Sequence, residues 1–71
     1  MIIHFKNVGR NKRSWDAECK ELDYDWFYSQ VKRNAIVMST DLDFLLNDTE
    51  TGGTICAGFH DIGTFEIEEG V

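Results

Sequence analysis

The stretch that decides the fold is Asp23-Tyr24-Asp25-Trp26-Phe27-Tyr28-Ser29-Gln30-Val31-Lys32-Arg33-Asn34. It reads as the one helix of the chain, over residues 23–34. Asp23 is a capping residue and Asp25 falls in the first turn. Lys32 and Arg33 fall in the last turn, so the charges complement the helix dipole, and Asn34 can take a left-handed exit. Tyr24, Phe27, Tyr28, Val31 and Ala35 recur at helical spacing and form a stripe wide enough to pack on a sheet. Trp26 stands off that stripe.

Before this helix, residues 1–8 alternate as a strand does, with Met1, Ile3 and Phe5 on one face and Ile2, His4 and Lys6 on the other. Gly9-Arg10-Asn11-Lys12-Arg13 is a polar turn. Residues 14–22 admit two readings. Trp15, Ala17 and Cys19 alternate with Asp16, Glu18 and Lys20 as in a half-buried strand. Trp15, Cys19, Leu22 and Trp26 also recur at helical spacing behind a capping Ser14. The short turn between two alternating runs is a hairpin signal and favours the strand.

After the helix the pattern is β throughout. Ile36–Ser39 is short and β-rich. Asp41–Asn47 begins by alternating, with Leu42, Phe44 and Leu46 on one face. The segment from Asp48 through Gly52-Gly53 reads as a hairpin loop. Thr54–His60 follows with Ile55, Ala57 and Phe59 inward, Asp61-Ile62-Gly63 turns the chain, and Thr64–Glu68 closes with Phe65 and Ile67 inward. The order is ββαβ(β)ββ. The expected fold is α+β, an antiparallel sheet of four to six strands with one helix on one face, and 1–71 forms a single compact domain.

The charge is divided along the chain. Residues 1–33 hold seven basic and five acidic residues, a net of +2. Residues 34–71 hold eight acidic residues and no Lys or Arg, a net of −8, which brings the whole to −6. Ordinary surfaces intersperse both signs, so one electronegative face is a statement about partners. On the strand reading Asp41, Asp43, Glu66 and Glu68 point away from the packed face, and Asp48 and Glu50 extend them at the hairpin tip. Regularly placed carboxylates imitate a phosphate array. The expectation is a non-catalytic acidic interaction module that binds a basic protein surface and so blocks a nucleic-acid site, with Trp26 as apolar anchor. The alternative is a homodimeric accessory protein joined through an edge strand or Trp26.

Other chemistries find less support. Lys6, Arg10, Lys12 and Arg13 could hold a few phosphates, but the net charge opposes direct nucleic-acid binding. His4, Cys19, Cys56 and His60 are zinc-type ligands, and a metal or thiol site at His4, Cys56 and His60 is the second alternative. No C-x-x-C or H-x-x-x-H pair anchors it, and parity puts Cys19 on the core face and Cys56 with His60 on the outer one. As a nucleophile and base on one strand, Cys56 and His60 would stand about 13 Å apart. The paired carboxylates lack a desolvated pocket for acid–base work. The glycines have no phosphate-loop or dinucleotide spacing. No cofactor is expected. Met1–Phe5 is too short, and broken too soon by Lys6, for a signal peptide, and no apolar run spans a membrane. A cytoplasmic protein with two reduced thiols is expected.

Overall fold

The structure, a computed structural model, describes residues 1–38 and 40–69. Five strands and one helix follow in the order β1 (Ile2–Val8), β2 (Arg13–Glu18), α1 (Tyr24–Asn34), β3 (Leu42–Leu46), β4 (Gly52–Ala57) and β5 (His60–Glu68). The strands make one antiparallel sheet in the order β2-β1-β5-β4-β3, with α1 packed on one face. This is the expected α+β class. Two hairpins, β1–β2 and β3–β4, are joined by β5, which pairs with β1 on one side and with β4 on the other.

The first hairpin settles residues 14–22. Arg13–Glu18 is a strand, in register Phe5↔Trp15 and Ile3↔Ala17. The backbone pairing runs one step further, since Cys19 donates its N–H to Met1 O at 2.9 Å and the Met1 ammonium donates to Cys19 O at 2.9 Å. Phe5 and Trp15 are stacked with centroids 4.5 Å apart. The β1 alternation changes phase near its end: Phe5 and Val8 are both buried although three residues apart. A bulge explains this, centred on Asn7, whose φ of 53° lies in the left-handed region that Asn tolerates.

The helix is held as its charges suggested. Asp23 caps it, its side chain accepting from the Asp25 N–H. The exit differs from expectation. Asn34 stays helical and Ala35 leaves in extended conformation, while the Asn34 side chain donates to Gln30 O at 2.9 Å and so satisfies a last-turn carbonyl. Phe27 is the centre of the packing, with rings of Phe5, Trp26, Phe44 and Phe65 all within 5.8 Å of its own. The buried core is Ile3, Phe5, Val8, Phe27, Val31, Leu42, Ile55 and Phe65.

Three further expectations are corrected. Residues 36–38 are not a strand, and Ser39 lies outside the described residues. That segment is not among the strands of the sheet. It lies over the β1–β2 turn instead, Ile36 O accepting from Arg10 N–H at 3.1 Å. Gly52 and Gly53 belong to β4 and not to the preceding loop, where Glu50 supplies the positive φ of 56°. They are glycines because the backbone is crowded. A Cβ on Gly53 would stand 2.0 Å from Leu45 O and 2.8 Å from the Phe65 ring, and one on Gly52 would stand 2.5 Å from Phe65 O. Finally, Asp61-Ile62-Gly63 lies within β5. The chain turns earlier, through Gly58-Phe59, with Ala57 opposite His60. Gly58 has φ 63° and Phe59 does not share that sign, the pattern of a two-residue hairpin turn with glycine first. Phe59 is consequently not inward but fully exposed at the tip.

Candidate interaction surface

The register distributes the carboxylates. Residues opposite each other in a sheet share a face. Asp16↔His4↔Glu66 and Glu18↔Ile2↔Glu68 therefore lie together on the face away from the helix. Asp43↔Cys56↔Asp61 lies on that same face, at the opposite end of β5. Asp61 and Glu66 lie opposite Cys56 and Gly52, four residues apart on β4, so the two groups stand about 13 Å from each other.

Their electrostatics differ. In the first group His4 stands between two carboxylates: Nδ1 is 2.7 Å from Asp16 Oδ1 and Nε2 is 3.1 Å from Glu68 Oε1. Both nitrogens can donate only when the ring is an imidazolium, and hydrogen bonds to Asp16 and then Glu68 hold the His4 pKa above its ordinary value. Lys6 Nζ lies 3.0 Å from Glu66 Oε1. Glu66 and Glu68, two of the expected partner contacts, are thus engaged by Lys6 and His4 of β1.

The second group is purely acidic. Cys56 Sγ donates to Asp61 Oδ1 at 3.2 Å, and that bond, ahead of desolvation and the charges of Asp61 and Asp43, raises the thiol pKa. A thiol held protonated by a carboxylate is a poor nucleophile and a poor metal ligand. His4 lies at the other end of the sheet and His60 is exposed beside the hairpin tip, so the geometry does not assemble His4, Cys56 and His60. Among the described residues no group of three His, Cys, Asp or Glu side chains is arranged to hold a metal ion. Cys19 is half-buried and its pKa is raised chiefly by desolvation.

Around β3 the acidic field meets exposed apolar surface. Tyr24 is half-exposed and donates its hydroxyl to Leu42 O at 2.7 Å, which seats the first turn of α1 over the start of β3. Its pKa is raised by desolvation first, then by the charges of Asp43, Tyr28, Asp41 and Asp25. Tyr24 thus lies in the combined negative field of carboxylates from α1, β3 and the segment before β3. Leu45 and Leu46, 57% and 47% exposed, lie on the two faces of the same strand. Asp48 and Glu50 are exposed in the loop beyond. The positive charge gathers elsewhere: Arg10, Lys12 and Arg13 in and just after the β1–β2 turn, Lys32 and Arg33 at the far end of the helix. Three strand spacings, about 14 Å, separate β1 from β3.

Trp26 does not join the carboxylates. It is half-buried, with its ring 5.3 Å from Phe27 and 6.0 Å from Phe5. It stands on the helix side of the sheet, and Asp43, Glu66 and Glu68 stand on the other side. The residues that sequence reasoning missed are Tyr24, Leu45 and Leu46. Leu45 carried a readable signal, since it breaks the alternation at an outward position. Among the described residues no helix is long and apolar enough to cross a membrane.

In comparisons with protein-family models, curated proteins and solved structures, nothing matches the chain.

Proposed function

We propose that this protein is a non-catalytic interaction module that binds a basic surface of another protein through its β3 side. The observation that carries the reading is Asp43 set among exposed Leu45 and Leu46 on the edge strand β3, with half-exposed Tyr24 seated over its start by the bond to Leu42 O. Carboxylates give reach and orientation to such an encounter, and apolar side chains give it contact area. Asp48 and Glu50 widen the field at the loop. A cleft that holds DNA or RNA phosphates is the kind of basic surface this arrangement suits, and a module seated there blocks the nucleic acid. Glu66 and Glu68 contribute less, being engaged by Lys6 and His4.

The test is capture of partners from an extract of the native cell on immobilised protein, with elution by salt from about 0.1 to about 1 M, over which the screening length falls from about 10 to about 3 Å. The expected result is a nucleic-acid-binding protein released by salt, displaced from the column by DNA or RNA, and not retained by a D41N/D43N variant. Retention indifferent both to salt and to D41N/D43N would overturn the reading.

A further inference from the structure

The backbone of β3 shows how a partner could be held. Gly58 donates its N–H to Asp41 O at 2.9 Å, and Asn47 donates its N–H to Gly52 O at 2.9 Å. Residues 41 and 47 therefore turn their polar groups toward β4. With the period of two of a strand, so do 43 and 45, and residues 42, 44 and 46 turn theirs away from the sheet. The Leu42 carbonyl is taken by the Tyr24 hydroxyl. The N–H and C=O groups of Phe44 and Leu46 face outward along the open edge.

Such an edge is a template for another strand, and folded proteins usually guard it with charge, proline or a bulge. The opposite edge, β2, is guarded: Arg13, Asp16 and Glu18 lie within it. The β3 sequence Leu-Asp-Phe-Leu-Leu has no proline and a single charge, and its pairing with β4 has no bulge. A groove of about 160 Å3 runs beside it on the helix side, lined by Asp23 and by the apolar parts of Leu22, Tyr24, Phe27, Phe44, Leu46 and Phe65. On the other side stand Asp43 and Leu45, with Asp61 two strands away.

We infer that β3 accepts an extended segment of a partner protein as a sixth strand, one whose side chains alternate between apolar and basic. The apolar set enters the groove beside Phe44 and Leu46, and the basic set lies over Asp43. The proposal rests on the electrostatic reading above and specifies the partner's conformation. Charge decides the occupant. A second copy of this chain would bring Asp25, Asp41 and Asp43 against the same carboxylates, whereas Lys or Arg at every second position complements them. Main-chain bonds supply affinity in this mode of recognition and the alternating side chains supply selectivity.

The probe is a capped hexapeptide of alternating lysine and valine, compared with two versions N-methylated on all valines or on all lysines. Charge is the same in the three, and the two methylated versions carry the same added apolar surface. Within an added strand only one of these sets turns its N–H toward β3, so one methylated peptide should bind like the parent and the other about tenfold more weakly, as expected for the loss of one or two net hydrogen bonds. Amide exchange at Phe44 and Leu46 should slow when the parent binds. In L46P, which removes an outward N–H and no bond to β4, the difference between the methylated peptides should shrink; L45K, which adds like charge to the same edge, is a second variant that leaves the strand pairing intact. Equal, salt-sensitive binding of all three peptides would overturn strand addition and leave the electrostatic reading standing. Absence of binding, protection on β2 instead, or a free protein that sediments as a dimer with Phe44 and Leu46 already protected would each overturn the inference.

Discussion

The Cys56 thiol donates to the Asp61 carboxylate at 3.2 Å across the β4–β5 pair. The bond exists only while the sulfur keeps its proton, so it disfavours the thiolate, the form that reacts. Alkylation of Cys56 by iodoacetamide near neutral pH should be slower than that of a free cysteine, and Asp61→Asn should speed it. Mass spectrometry of tryptic fragments gives both rates. A Cys56 that outpaces free cysteine would contradict the arrangement.

His4 makes stability depend on pH. Its folded pKa is raised by Asp16 and Glu68 above an unfolded value of about 6.5. The contribution of the pair of contacts is therefore fully present below about pH 6.5, provided the carboxylates are ionised, and is lost as pH rises through the folded value. Urea midpoints should fall between about pH 6 and about pH 8.5, and His4→Gln should flatten that slope. Proton NMR should place the His4 titration above the ordinary histidine value of about 6.5, and Asp16→Asn should lower it.

Phe27 touches four other aromatic rings, and Phe27→Ala removes the centre of the core. Such truncations cost about 3–5 kcal/mol. A domain of this length has about 4–10 kcal/mol in all. The variant should be largely unfolded or melt far below the parent, as circular dichroism will show.

Two glycines should lose stability on substitution for different reasons. Gly53→Ala puts a methyl group into the Leu45 carbonyl and the Phe65 ring, and the strand pair must open to admit it. The loss should reach or exceed the about 1–3 kcal/mol of ordinary overpacking. A Cβ on Gly58 meets nothing within 4 Å, so Gly58→Ala bears only the left-handed backbone, about 1–2 kcal/mol. Gly58→Asn should cost less than Gly58→Ala. Denaturant midpoints of the three variants test the order.

The helix and the α+β class were legible because the signals at Asp23–Asn34 are local: a cap, ordered charges and an apolar stripe. What escaped reading was set by distant parts of the chain. Gly52-Gly53 has turn composition, and only the proximity of Leu45 and Phe65 makes it a crowded strand. Ile36–Met38 has strand composition, but it is held over the β1–β2 turn by the bond from Arg10 N–H to Ile36 O and does not join the sheet. The outward placement of Asp43, Glu66 and Glu68 followed from parity. Their division into an engaged pair and an acidic end did not, because Lys6 and His4 reach Glu66 and Glu68 only once β5 lies beside β1. Trp26, offered as a partly exposed anchor, is half-buried, with its ring beside those of Phe5 and Phe27.

The position of β5 has a consequence for how the protein is made. Its strand pairs Phe65 with Phe5 on one side and with Gly53 on the other, so the final strand of the sheet is also its middle. While residues 60–68 are still within the ribosome, the emerged chain holds two hairpins with no shared sheet and a helix with half a platform. Isolated hairpins are marginal in water, and contacts so far apart in sequence form slowly. Folding must then await release of the C-terminal strand, and a nascent chain stalled before it would expose the inner faces of β1 and β4 to whatever strand comes first.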